Sequence, residues 1–289
     1  MKKSFLAIIL CIFLTGCGVL AIETQGDAGS PENQKGFLAA ENSKGSQDSQ
    51  FEGYRVIEVD GGDRSGTREA NVAVDIGYGD REYWAFTNEY GQLVRVIAEE
   101  IILQDDKTEP VTPDGRYYRD EAKVPGTELA GYDQGHVIAD SLGGVSNAYN
   151  ITPQNSALNR HGDQAYMEKV IRDAGGCTDF EATITYPDTK TQIPSHYHYT
   201  YTLMGNTIEE DFDNIDPDKA NRTLIESQKT QASVSPDADG HDISAIDTNG
   251  DGQVTIKEAK AAGFKMPITK DHWLYKYMDD RDGDGMVGE

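Results

Sequence analysis

The stretch Tyr132–Ala174, YDQGHVIADSLGGVSNAYNITPQNSALNRHGDQAYMEKVIRDA, combines a histidine in a Gly-His pair with an unusual density of side-chain amides. His136 lies in a Gly-His turn ahead of a short apolar run. The segment 147–159 then holds five amides: Asn147, Asn150, Gln154, Asn155 and Asn159. Each buried amide must find hydrogen-bond partners, so such a segment makes a poor core. It suits a site for a hydrated cation and a phosphate; a polar loop between a strand and a helix is the alternative.

A helix is predicted from about Asp163 to Ala174. Its apolar residues recur at spacings of three and four: Tyr166, Met167, Val170, Ile171 and Ala174. Gly175-Gly176 follows and should end the helix, because glycine tolerates the left-handed cap conformation.

Four short motifs in this stretch resemble the DNA/RNA non-specific endonuclease family, the sugar-non-specific nucleases of the ββα-metal or His-Me finger class. They are Asp133-Gln134-Gly135-His136, Asn150-x-x-Pro153-Gln154, Leu158-Asn159-Arg160 and Met167-Glu168. The resemblance covers roughly residues 80–205. There are two departures from the family pattern: Gln134 stands where the motif usually has arginine, and Glu168 lies one residue further from Asn159 than is usual.

The resemblance implies a role for each motif residue in phosphodiester hydrolysis, which needs a base, charge neutralisation and help for the leaving oxygen. His136 is the candidate general base, since the pKa of a histidine is ordinarily near neutrality. Asn159 is the candidate ligand of Mg²⁺ (or Mn²⁺), and Glu168 could orient a water on that ion. Three arginines are alternative phosphate clamps, among which the sequence does not choose: Arg116, Arg119 and Arg160. For Asn150 and Asn155 a structural role is favoured.

The charge of the chain argues against a tight nucleic-acid binder, which normally has a basic footprint. Asp and Glu number 50 against 26 Lys and Arg, a net charge of −24. We therefore expect weak, metal-dependent binding of DNA, and of RNA if both are substrates. The acidity also motivates a different-class alternative, a calcium-dependent surface-binding or adhesion lipoprotein on a nuclease-like scaffold.

The N-terminus has the features of a secretory signal: Lys2-Lys3 and then a short, mostly apolar run. Leu14-Thr15-Gly16-Cys17 resembles a bacterial lipobox, which implies lipidation of Cys17 and a membrane anchor; an ordinary signal peptide with an incidental cysteine is the alternative. The polar segment up to residue 50 should be a flexible linker. We expect a protein on the extracellular face of the membrane, or a secreted one.

Short β-rich runs between Phe51 and Leu103, and again over Phe180–Tyr186 and His196–Leu203, predict a sheet scaffold. The fold prediction is therefore α+β: an antiparallel sheet carrying the ββα-metal finger, then a small α-helical calcium module. His196 and His198 share one face of a predicted strand, where a solvated or tyrosine-packed face is favoured over a metal pair.

The segment 247–258 fits an EF-hand calcium loop at every diagnostic position, and a non-binding acidic turn is the alternative. Oxygen ligands fall at positions 1, 3 and 5, glycine at 6, a backbone carbonyl at 7 and a bidentate glutamate at 12. The corresponding residues are Asp247, Asn249, Asp251, Gly252, Gln253 and Glu258.

A second, shortened loop repeats the Asp-x-Asp-x-Asp-Gly pattern and resembles the Excalibur extracellular calcium-binding motif. Its predicted calcium ligands are Asp280, Asp282, Asp284, Met286 at position 7 and Glu289. That family usually has cysteine where Gly288 stands, so a supporting disulfide is not expected.

The sequence thus divides into a lipoprotein signal (1–17), a linker (18–50), a nuclease domain (51–215), a second linker (216–239) with a short helix over Asn221–Lys229 as an option, and a calcium-binding domain (240–289). No protein partner is inferred. Biological role, oligomeric state and the choice between DNA and RNA lie beyond the sequence.

Overall fold

The computed structural model describes residues 49–231 and 242–288. The predicted signal peptide, Cys17, nearly all of the first linker and Glu289 lie outside these residues, so the predictions on them remain predictions. Among the described residues no helix is both long enough and apolar enough to span a bilayer.

A seven-stranded sheet in the order β1-β2-β3-β4-β7-β8-β9 forms the scaffold. Its strands are β1 (Arg55–Ile57), β2 (Val72–Asp75), β3 (Tyr83–Thr87), β4 (Leu93–Ile101), β7 (Cys177–Thr185), β8 (His196–Leu203) and β9 (Asn206–Asp213). Each neighbouring pair is antiparallel except β1 with β2, which is parallel, so the predicted wholly antiparallel sheet is wrong at that edge. The mixed, sheet-dominated α+β class is confirmed.

Strand β8 shows how alternation places one face of this sheet in the core. Tyr197, Tyr199 and Tyr201 are fully buried, whereas His196 and His198 point to the other face. There both imidazoles contact Asp211 of β9, with Nε2 of His196 and Nδ1 of His198 at 3.1 and 2.9 Å from Oδ1. The histidine pair therefore lies on a solvated, acid-paired face, as favoured from the sequence.

Two further antiparallel strands and two helices form the ββα unit. Strand β5 (Tyr132–His136) pairs with β6 (Ile151–Asn155), and α1 (Ser156–His161) and α2 (Asp163–Asp173) follow directly. Met167 and Ile171 of α2 are buried against the main sheet. Gly175, at φ 86°, ends α2 as predicted. The unit thereby holds β5 and α2 in fixed positions beside each other.

The C-terminal residues have their own core, around Phe264, Met266 and Leu274. Its elements are α3 (Pro217–Gln231), α4 (Ile256–Ala261), β10 (Ile268–Thr269) and β11 (Met286–Val287). Helix α3 occupies the segment predicted as a linker and is longer than the optional short helix, because Leu224 and Ile225 pack on this core. Residues 217–231 and 242–288 are called the C-terminal module below.

Candidate active site and metal loops

His136 is the last residue of β5, and its side chain is 12% exposed. Its Nε2 lies 3.4 Å from Oδ2 of Asp140 and 3.3 Å from Oγ of Ser146. The Asp140 carboxylate is held in turn, because its Oδ1 accepts a hydrogen bond from the backbone N–H of Tyr117 (3.1 Å). A carboxylate beside Nε2 favours the tautomer with its proton on that atom, which leaves Nδ1 as the basic nitrogen.

Burial lowers the pKa of His136 from its ordinary value, and this effect outweighs the opposing influence of Asp140 and Glu121, while Arg116 lowers the pKa further. The imidazole is therefore neutral at neutral pH and able to accept a proton. Sequence reasoning missed Asp140, although its position four residues after His136 was a usable signal.

The three arginines proposed to contact the phosphate have different surroundings in the structure. Arg116 lies beside the histidine: its Nε is 3.6 Å from Oδ2 of Asp140, and its guanidinium pairs with Glu121. Arg160 is exposed and makes a bidentate pair with Asp133, at 2.7 Å for both contacts. Arg119 is exposed, and none of the described residues forms an ion pair with it. Of the three, Arg116 is thus the one that lies beside the carboxylate facing the candidate base.

Asn159, on α1, reaches back to the strand that carries His136. Its Nδ2 donates to Oδ2 of Asp133 over 3.4 Å, and its Oδ1 has no hydrogen-bond donor among the residues described. The contact aims the amide so that its oxygen remains available to a cation. Asp133 thereby orients both Asn159 and Arg160.

Glu168, partly buried on α2, is tied to the histidine strand through one glutamine. Gln164 Nε2 donates to Glu168 Oε1 (2.8 Å) and to the backbone carbonyl of His136 (3.3 Å). Tyr199 in turn donates to Gln164 Oε1 (3.0 Å). Burial raises the pKa of Glu168 to about 7, although Gln164 and Arg172 oppose the rise. A carboxyl group whose pKa lies this far above its ordinary value is typical of functional sites.

Most of the other amides in the stretch hold the backbone, as favoured for Asn150 and Asn155. Asn150 is fully buried, donates to the carbonyls of Ile138 (2.8 Å) and Val145 (2.6 Å) and accepts from Ile138 N–H. Asn155 caps α1 by accepting from the N–H groups of Ala157 and Leu158. Asn150 thus shapes the loop between β5 and β6, and Asn155 holds the beginning of α1.

The donor atoms that Asn159 and Glu168 offer are of the kind that suits a hard divalent cation. Asn159 offers an amide oxygen and Glu168 a carboxylate, and Mg²⁺ prefers few protein oxygens together with water and substrate phosphate. The chemistry of these two side chains therefore suits the class of ion that the sequence predicts.

The first C-terminal loop has its side-chain oxygens directed into the turn. The Asp247 carboxylate accepts from the N–H groups of Gly250 (2.7 Å) and Gly252 (2.8 Å), and Gly252 has the left-handed φ of 82° that the sharp turn requires. Both Glu258 oxygens accept hydrogen bonds from Thr248 and Thr255, which brings this carboxylate to the beginning of the loop. Binding of an ion through Glu258 requires exchange of those bonds.

The second loop brings three carboxylates together. Ligand atoms of Asp280, Asp282 and Asp284 all lie within 4.8 Å of one another. Gly285 follows at φ 96°, and the Asp280 carboxylate accepts from its N–H (3.0 Å). Met286 then begins β11, and Glu289, the predicted closing ligand, lies outside the described residues.

Comparison with known proteins supports a nuclease. Residues 81–205 match the family model of the DNA/RNA non-specific endonucleases, the segment over which the sequence resemblance was expected. The class of protein defined over this segment is thus a nuclease, a hydrolase acting on nucleic acid.

The chain is also similar to two crystal structures of NucA from Streptococcus agalactiae. The structure with no metal bound is 17% identical, with 52% of this chain and 77% of that one covered, at a TM-score of 0.36. The structure with a magnesium ion bound is 16% identical, with 52% and 78% covered, at the same TM-score. No curated protein matches the chain.

Proposed function

We propose that the protein is an extracellular, lipid-anchored, metal-dependent endonuclease that hydrolyses phosphodiester bonds of DNA, and of RNA, without sequence preference. The observation that carries this proposal is the arrangement around His136. A neutral, largely buried imidazole faces Asp140 through Nε2, while the candidate metal ligands Asn159 and Glu168 are connected to the same strand.

In the proposed reaction His136 accepts a proton from the attacking water at Nδ1, since Asp140 keeps the proton of Nε2 in place. Arg116, beside that pair, is positioned to contact a phosphate oxygen and to stabilise the charge that grows there. Asp133 orients the Asn159 amide, and Gln164 orients the Glu168 carboxylate. A divalent cation held by Asn159 and Glu168 would supply charge neutralisation for the phosphate and for the leaving oxygen.

The C-terminal module is proposed to bind calcium at both loops. The proposal rests on the complete EF-hand pattern at 247–258 and on the convergent carboxylates of Asp280, Asp282 and Asp284. Lipidation at Cys17 would place the enzyme outside the membrane, where calcium is abundant. Bound calcium would stabilise the module.

Cleavage of supercoiled plasmid, linear duplex, single-stranded DNA and RNA by the wild-type chain tests the proposal. We expect cutting of all four in Mg²⁺ or Mn²⁺, and none after EDTA treatment. A folded chain that cuts none of them with any divalent ion would contradict the nuclease function and leave the calcium-dependent surface-binding role as the better account.

A further inference from the structure

A groove of about 810 Å³ lies between the ββα unit and the C-terminal module. One wall is the outer side of α1 and α2, with Arg160, Lys169 and Arg172. The other wall comes from the module and includes Arg281, together with Asp279 and Asp282. The groove is therefore built by two parts of the chain, only one of which lies in the segment that matches the nuclease family.

The charge of this groove is opposite to that of the protein as a whole. Four basic and two acidic side chains line it, whereas the chain carries −24. Three of the four cations already have carboxylate neighbours: Arg160 with Asp133, Lys169 with Asp173 and Arg281 with Asp279. The last two pairs are long, at 3.8 and 3.9 Å, and exposed ion pairs of this kind contribute little to stability. A phosphate can therefore take the place of the carboxylate in each pair.

The groove lies along the two helices that carry the candidate metal ligands Asn159 and Glu168. Arg172 lies one turn after Glu168 on α2, lowers the pKa of that carboxyl and donates to Ser141, the neighbour of Asp140. At the other end Arg160 follows Asn159 and pairs with Asp133. The basic row Arg160, Lys169 and Arg172 thus runs along the same helices that present Asn159 and Glu168.

We propose that this groove binds the phosphodiester backbone of the nucleic-acid strand next to the bond that is cut. The C-terminal module is then part of the substrate site. The inference rests on the nuclease function proposed above. Contacts from lysine and arginine to phosphates dominate the affinity of proteins for nucleic acids and make it salt-dependent. A short basic groove in an acidic protein would hold a strand weakly, yet long enough for it to be cut.

Direct binding tests the groove apart from catalysis. The probe is a fluorescent 20-nucleotide single strand with phosphorothioate links, which resists cleavage, and its anisotropy is measured with the full-length chain. Lys169→Glu and Arg281→Glu change exposed side chains, at 62% and 91% exposure, so the fold should persist. Lys190→Glu is the matched control, because Lys190 is exposed and does not line the groove.

Each groove variant should raise the Kd about five- to tenfold and reduce the slope of log K against log salt by about one. Lys169→Gln and Arg281→Gln should give smaller losses, and Lys190→Glu should bind as the wild type does. Wild-type affinity in both groove variants, or no binding by the wild type at low salt, would overturn the inference. If the variants weaken binding but the wild type cuts no nucleic acid, binding of a strand in the groove is supported and the proposed nuclease function is contradicted.

Discussion

Lys260, on helix α4 of the C-terminal module, lies 2.8 Å from the Asp163 carboxylate at the beginning of helix α2. The Asp163 side chain is 7% exposed, and a second carboxylate, Glu210 of β9, lies 3.2 Å from the same ammonium. Lys260 comes two residues after the predicted calcium ligand Glu258. One ion pair thus connects the module to the helix that carries Glu168.

Loss of this lysine should destabilise the whole described unit. Lys260→Met leaves Asp163 and Glu210 without their cation, and we expect a loss of about 2 kcal/mol in the free energy of unfolding, since an unpaired buried carboxylate is costly. Urea denaturation measures the change. Asp163→Asn in the same chain should recover part of the loss, and Lys219→Met, an exposed control on α3, should change little. Equal stability of Lys260→Met and the wild type would show that the pair is unimportant.

Asp140 is expected to position His136 and set its proton affinity. Asp140→Asn removes the anion that raises the pKa of His136, so the acidic limb of the rate profile should move to lower pH while kcat falls about 10- to 100-fold. Plasmid nicking as a function of pH measures both effects. Asp120→Asn, at an exposed pair with Arg64, is the control. An unchanged profile in Asp140→Asn would mean that Asp140 only supports the backbone of Tyr117.

Glu168 should make the metal-free protein lose stability as pH rises. Its folded pKa, about 7, lies above the ordinary value of 4.5, so the folded state retains a proton that the unfolded state has released. The stabilisation is complete below pH 4.5 and is lost as pH rises through 7, up to about 3 kcal/mol. The difference in unfolding free energy between the wild type and Glu168→Gln, measured in EDTA from pH 4 to 8, should show this decline. A difference that stays constant with pH would contradict the raised pKa of Glu168. Glu209→Gln is the control, because Glu209 is exposed.

Helix α2 was predicted by its periodicity, because that signal is local. The candidate roles of His136, Asn159 and Glu168 came from the resemblance of their short motifs to the endonuclease family. Asp140 and Gln164 were missed as partners because their roles depend on how β5 and α2 pack. Strand β9, with sequence NTIEEDFD, was missed because half of its residues are acidic and its pairing comes from the tyrosine-rich β8. The groove could not be predicted because its walls come from distant parts of the sequence, one ending at Arg172 and the other beginning at Gln253.

Calcium should stabilise the C-terminal module. Titration calorimetry should detect binding at both loops with dissociation constants in the range of about 10⁻⁴ to 10⁻³ M, as in extracellular modules, and the thermal midpoint should rise. Glu258→Gln should abolish or greatly weaken binding at the first loop, whereas Glu209→Gln should leave it unchanged. Two sites that persist in Glu258→Gln would contradict the EF-hand assignment.

Because Asp282 also lines the groove, calcium should tighten strand binding as well.

The most direct test of the central claim is plasmid nicking in Mg²⁺ by His136→Ala beside His161→Ala. Both histidines belong to the same ββα unit, but His161 is exposed at the end of α1. We predict that His136→Ala loses at least about 100-fold in rate while remaining folded by circular dichroism, and that His161→Ala cuts at close to the wild-type rate. Undiminished cleavage by a folded His136→Ala protein would contradict the assignment of the base and, with it, the proposed mechanism.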